Sequence, residues 1–169
     1  SDDYIVAVNK PAGMASVPGK EVPGSVLCSA EVEYPGDESS KNGSAGLNTP
    51  FVVHRLDMHT SGVLLLAKDE QVYKELQSQF AGRSVRKCYV AVLEGEVHPQ
   101  SCGSGVHWES ATSGTISLPL AADYDHRPAQ KVDLETGKEA VTLFEIIGVK
   151  GGRTYINFYP VTGRTHQLR

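Results

Sequence analysis

Apolar residues along the chain alternate between two spacings, and each spacing predicts an element. Tyr4 to Val8, Phe51 to Val53 and Val63 to Ala67 are short runs dense in aliphatic and β-branched residues, as half-buried strands are. After Asp69, Val72, Leu76 and Phe80 recur every four residues, with Gly82 following. That spacing predicts an amphipathic helix capped by Asp69 and ended at Gly82. Arg83 to Gly95 reads as a strand with a cationic entrance, and Thr115 to Leu118, Ala140 to Val149 and Thr154 to Val161 as further strands separated by turns such as Lys150-Gly151-Gly152. Consecutive strands joined by short turns favour antiparallel pairing. The expected fold class is α+β, a mainly antiparallel or mixed sheet core with a few packed helices.

Between these runs lie polar stretches. Residues 25–34 are expected to be helical, and Pro35 to Pro50, crowded with Gly, Ser and Asn, reads as a mobile loop. The wider segment from Gly19 to Asn48 is expected to be poorly ordered in the absence of a partner. Pro99 to Gly114 reads as a second loop, rich in Ser and Gly. The last residues, Thr162 to Arg169, resemble the start of an element with Thr162 as its cap. The whole chain is therefore expected to be one domain that is incomplete at its carboxyl end.

Composition narrows the field without naming a function. The chain has 169 residues, 40% hydrophobic and 21% charged, and no apolar run approaches the roughly 20 residues needed to cross a bilayer. Sixteen Lys plus Arg against twenty Asp plus Glu give a formal charge of −4. A nucleic-acid partner would need a local basic surface, and the entrance formed by Arg83, Arg86 and Lys87 is the most basic spot. Three cysteines at irregular spacing fit neither a disulfide framework nor a paired zinc motif. A reducing compartment follows, cytoplasmic, or an organelle or the nucleus if a targeting segment was removed before Ser1.

Candidate chemistry centres on His54-Arg55-Leu56-Asp57-Met58-His59-Thr60-Ser61-Gly62, a polar loop bracketed by apolar strands. Read alone, Asp57 is also consistent with a turn aspartate bonding its own backbone. His54, Asp57 and His59 lack the helical face that gathers metal ligands, and Thr60-Ser61-Gly62 lacks the leading glycine of a nucleophile elbow. A sugar hydrolase would need a second carboxylate in a matching loop, which the sequence does not offer.

The loop changes meaning beside three other segments. His54-Arg55-Leu56-Asp57 with Thr60-Ser61-Gly62 and Leu64 to Lys68, the upstream turn Lys10-Pro11-Ala12-Gly13, Lys87-Cys88-Tyr89-Val90-Ala91, and Gly163-Arg164-Thr165-His166-Gln167 together resemble the signature of the RluA-type RNA pseudouridine synthases. His126-Arg127-Pro128, Gln130 to Asp133 and Thr136 to Ala140 further resemble the branch containing the dual-specificity enzymes, with Tyr124 and Ala129 departing from its pattern.

The resemblance implies isomerisation of a uridine in structured rRNA or tRNA, with no cofactor or metal, by a monomer that does not engage membranes. It implies Asp57 as the catalytic carboxylate, Arg164 as the opposite charge that favours its ionised form, and Tyr89 as a flat phenol stacked on the target base. Arg55 would fill the stack left by a flipped nucleotide, while Lys87, Arg86 and Arg83 are candidates for RNA backbone contacts. An alternative expectation is an RNA-binding fragment without turnover.

Overall fold

The computed structural model describes residues 2–19, 24–27, 29 and 50–169. The chain forms two compact units, Ser1–Ser84 and Val85–Arg169. Both are built on antiparallel sheets, as the hydrophobic spacing requires.

In the first unit β1 (Ile5–Lys10), β2 (Phe51–Val52) and β3 (Gly62–Ala67) form a sheet in the order β1-β3-β2. Ile5 pairs with Ala67 and Lys10 with Gly62, so the central strand is the aliphatic run Gly62–Ala67. Leu64, Leu66 and Ala67 are buried there with Val6 and Val53. The helix α1 (Glu70–Ala81) follows, and the Asp69 carboxylate accepts from the Val72 amide at 2.9 Å to cap it. Its Phe80 ring stacks on His54 and its Tyr73 ring on Phe51, which seats the helix beside β2.

The helix ends as its sequence predicts, with one refinement. Gly82 keeps right-handed backbone, and Arg83 instead takes the left-handed position with φ 58°. Arg83 N–H donates to Phe80 O and Ser84 N–H to Gln79 O, the paired bonds of a Schellman ending.

The second unit is a five-stranded sheet in the order β4-β10-β9-β6-β5, with a two-stranded hairpin β7-β8. Its strands are β4 (Tyr89–Glu94), β5 (Val106–Trp108), β6 (Ser113–Ser117), β7 (Leu120–Ala122), β8 (Gln130–Val132), β9 (Val141–Lys150) and β10 (Arg153–Pro160). Gly151 and Gly152, both at positive φ, make the tight β9–β10 turn, where a two-residue hairpin of this hand demands left-handed backbone. Phe144, Ile156 and Phe158 form the core, with Tyr89, Leu93, Trp108 and Leu168 packed against it.

Some expectations shift. The strand expected from Arg83 begins only at Tyr89, because residues 83–88 pass from the helix ending through turns. The stretch from Pro99 to Gly114 is not all loop: it holds a 3-10 turn (Pro99–Ser101) and β5. Gly114 permits that pairing, since a Cβ there would stand 2.2 Å from the His107 carbonyl oxygen and 2.9 Å from the Phe144 ring. Thr162 to Arg169 forms turns rather than a helical start. Of the helix expected over residues 25–34, Ser25 instead forms a bridge to Ala15, positions 26, 27 and 29 are helical, and the remainder lies outside the described residues, as does nearly all of the loop expected to be mobile.

Candidate active site

Asp57 sits in the loop between β2 and β3, and the residues around it are held from several directions. Pairing continues one residue past β2, where Val53 N–H donates to Leu65 O at 3.3 Å. At His54 the backbone turns away and the side chain takes over: its Nε2 accepts from Leu65 N–H at 3.2 Å. That nitrogen is therefore unprotonated, and the ring's stacking on Phe80 at 4.9 Å fixes its plane. The histidine closes the ladder so that the loop can leave the sheet without orphaning a backbone donor.

Two residues on, Leu56 is buried and gripped at both ends of its peptide unit. Ser16 Oγ accepts from Leu56 N–H at 3.0 Å and donates to Leu56 O at 2.8 Å. On the other side of Asp57, the Met58 carbonyl accepts from Gly13 N–H at 2.8 Å and from Lys10 Nζ at 3.1 Å. Thr60 N–H donates back to Asp57 O at 3.0 Å and completes a turn. The half-buried Asp57 thus lies between two pinned neighbours.

Lys10 is the unusual member of this cradle, a lysine with 0% of its surface exposed. Its ammonium donates to the carbonyls of Pro11, Met14 and Met58 at 3.1, 2.7 and 3.1 Å, so all three protons are used. Burial lowers its pKa from the ordinary value, and the negative charge of Asp57 works in the opposite direction. A buried cation is tolerated only when so compensated. It ties the Lys10-Pro11-Ala12-Gly13 turn to the Asp57 loop, and Gly13, at φ 86°, supplies the backbone shape that aims its N–H at Met58.

In the second unit, Tyr89 opens β4 opposite Phe158 and packs on the core cluster, against which Leu168 also packs. The segment bearing Arg164 is organised by Gln167. The Gln167 Oε1 accepts from Thr162 Oγ1 at 2.9 Å and from Arg164 N–H at 2.8 Å, while its Nε2 donates to Val141 O at 3.1 Å and Thr142 Oγ1 at 2.9 Å. Thr162 is no helix cap; its hydroxyl accepts from Val141 N–H at 2.8 Å instead. The half-buried Arg164 side chain donates through Nε to the Glu139 carbonyl at 2.8 Å.

Arg55 is exposed on the Asp57 loop and Arg83 is exposed at the end of α1. Arg86 is exposed and Lys87 half-buried in the irregular stretch before β4. Asp57, Arg55 and Arg83 thus belong to the first unit, and Arg86, Lys87, Tyr89 and Arg164 to the second.

Three residues of the cradle carry no role in the sequence reading. Lys10 left a trace, a cation closing an apolar strand just before Pro11. His54 stood out only as a polar neighbour, and Ser16 gave no signal, since its partner is 40 residues away.

Residues 4–169 match the family described as RNA pseudouridylate synthase. The chain is 40% identical over 171 residues to the dual-specificity RNA pseudouridine synthase RluA of Escherichia coli (strain K12), covering 99% of this chain and 67% of that protein. It is 39% identical to the enzyme of the same name from Haemophilus ducreyi, with the same coverage. Among solved structures, human RNA Pseudouridylate Synthase Domain Containing 4 and 1 share the fold, with TM-scores of 0.69 and 0.70 at 21% and 22% identity. Each comparison covers 100% of this chain and 60% of the human chain. The chain thus spans about two thirds of the curated relatives and three fifths of the solved ones.

Proposed function

The chain belongs to the RNA pseudouridylate synthase family, and from that premise we propose that it converts a uridine in structured rRNA or tRNA to pseudouridine, with Asp57 as the catalytic carboxylate. The reaction breaks the bond between C1′ and N1, turns the detached base, and joins C5 to C1′, the proton on C5 leaving for N1 or solvent. The site must hold a free base in place throughout, so precision of position matters more than added chemical groups.

The observation that carries this reading is the double pinning of Asp57. Ser16 holds the peptide before it and Lys10 with Gly13 the carbonyl after it, an investment of buried polar groups that an ordinary turn aspartate does not require. Arg55, one turn of loop earlier and exposed, suits the guanidinium that takes the place of the everted nucleotide. Tyr89 supplies the flat face for the base and a phenol for proton relay. Arg164 supplies the counter-charge for the carboxylate, and Lys87, Arg86 and Arg83 contact phosphates. The protein acts as a monomer in a reducing compartment, the cytoplasm in a bacterial host.

The test is direct. Uridine-labelled rRNA or tRNA incubated with the wild type yields pseudouridine, and with Asp57→Ala yields none. Equal product from both overturns the assignment of Asp57, and RNA binding without product by the wild type reduces the protein to an RNA-binding one.

A further inference from the structure

The β7–β8 hairpin is absorbed by none of the roles above, yet it rises from the backbone that anchors Arg164. Leu120 pairs with Val132 and Ala122 with Gln130, and the base of the hairpin is stitched by Leu120 to Lys138 and by Leu118 N–H to Ala140 O. Glu139, between those two stitched residues, gives its carbonyl to Arg164 Nε at 2.8 Å. Whatever Arg164 touches, the hairpin stands beside it.

The tip of the hairpin is closed by hydrogen bonds of its own and presents an aromatic ring. Asp123 N–H donates to Ala129 O at 3.0 Å and Ala129 N–H to His126 O at 2.8 Å, closing the loop on itself. The Asp123 carboxylate accepts from His126 Nδ1 at 3.0 Å and from Asp125 N–H at 3.3 Å. The bond from His126 chiefly holds that carboxyl below its usual range, so it stays an acceptor near neutrality. On this frame the Arg127 guanidinium lies over the Tyr124 ring, 4.8 Å from its centre, while 73% of Tyr124 remains exposed. A tyrosine so exposed does nothing for the core. With Arg127 on one face, its other face is open to a planar ligand, and the ordering entropy of both side chains is already spent.

We propose that this hairpin is an RNA-docking arm, in which the Tyr124–Arg127 pair stacks on an unpaired base flanking the target uridine. The inference rests on the reading of the chain as an RNA-modifying enzyme. Charge decides the mode of contact: Arg127 and Lys131 are offset by Asp123 and Asp125, so the tip is no phosphate-binding patch. A nearly neutral tip with a preformed aromatic and guanidinium stack is suited to bases in a loop, which are recognised by stacking. Its reach is also apt. Tyr124 lies four positions beyond Leu120, at most about 13 Å of chain at roughly 3.3 Å each, the height of up to some four stacked bases.

The test measures affinity and single-turnover rate separately, using the full-length protein and a stem-loop RNA that the wild type modifies. Tyr124→Ala is expected to weaken binding by roughly 5- to 150-fold, since a base stacked on an aromatic side chain is worth about 1–3 kcal/mol. The loss falls on affinity rather than on the rate at saturating RNA, and its size is the same at low and moderate salt. Tyr124→Phe, which keeps the face, restores binding.

Wild-type modification with unchanged affinity in Tyr124→Ala overturns the arm and leaves the catalytic reading intact. A loss shared by Tyr124→Phe, or one that tracks a lowered melting temperature, overturns the stacking role. A wild type that binds no RNA overturns the reading the arm rests on, and the arm with it.

Discussion

The Asp57 loop and the Arg164 segment carry the two principal charges of the proposed chemistry, and they are held in opposite ways. Around Asp57 the restraints come from afar: Ser16 is 40 residues from Leu56, Lys10 is 48 from Met58, and Ser16, Leu56 and Lys10 are buried. Around Arg164 a neutral, half-buried side chain, Gln167, organises the turn and ties it to Val141 and Thr142, and the guanidinium donates to the Glu139 carbonyl at a half-exposed site. The difference lies in what a broken bond leaves behind. A buried orphan carries its full desolvation cost, whereas a group near solvent finds water. The first arrangement is stiff and intolerant of change, and the second is forgiving.

The contrast breaks most severely at Lys10. Lys10→Met takes the shared donor from the carbonyls of Pro11, Met14 and Met58, and since Met58 keeps the Gly13 amide, two are orphaned; at about 1–3 kcal/mol per orphaned group the expected loss is at least ~2 kcal/mol in chemical denaturation. A loss below ~1 kcal/mol would show that the cage is not what secures the loop. The same residue gives a pH signature. Its pKa is lowered on folding, so above the folded value and up to its ordinary 10.5 the unfolded chain binds the proton better. Through this group stability therefore rises with pH in that window, and the rise is absent in Lys10→Met.

The forgiving side is sharpened by Gln167→Ala, which removes four hydrogen bonds at once. Gln167 is neutral and half-buried where Lys10 is charged and fully buried, so the expected cost is about 1–2 kcal/mol, smaller than that of Lys10→Met despite the larger number of bonds. An equal or greater loss in thermal unfolding would contradict the distinction drawn between the two regions.

The smallest expected effect has the opposite sign. Arg83 occupies a left-handed position at which glycine carries no steric cost, and Arg83→Gly is expected to stabilise the protein by up to about 1 kcal/mol. If Arg83 also contacts phosphate, the same change weakens RNA binding and flattens its salt dependence. Stabilisation without any change in binding would remove Arg83 from the RNA surface.

Much of the architecture was legible because it follows from local periodicity. Every-fourth apolar positions with Asp69 ahead and Gly82 behind delimit α1 almost to the residue, and consecutive glycines mark the β9–β10 turn. Short strands without such patterning escaped: β5, β7 and β8 are three residues each, too brief for alternation to register. The end of the chain misled for a related reason. Thr162 is a good helix cap in isolation, but its hydroxyl is claimed by Val141, a strand residue 21 positions earlier.

By itself the sequence determined the family, through the polar loop around the carboxylate at 57, the ordered segments that accompany it, and the strands and helix that carry them. These are properties of residue type and spacing, readable along one dimension. Only the tertiary structure decided how that carboxylate's loop is held, through a serine hydroxyl, a histidine nitrogen and a buried ammonium. Hydrogen bonds between residues 40 and more positions apart obey distance and burial in space, and no local pattern encodes them.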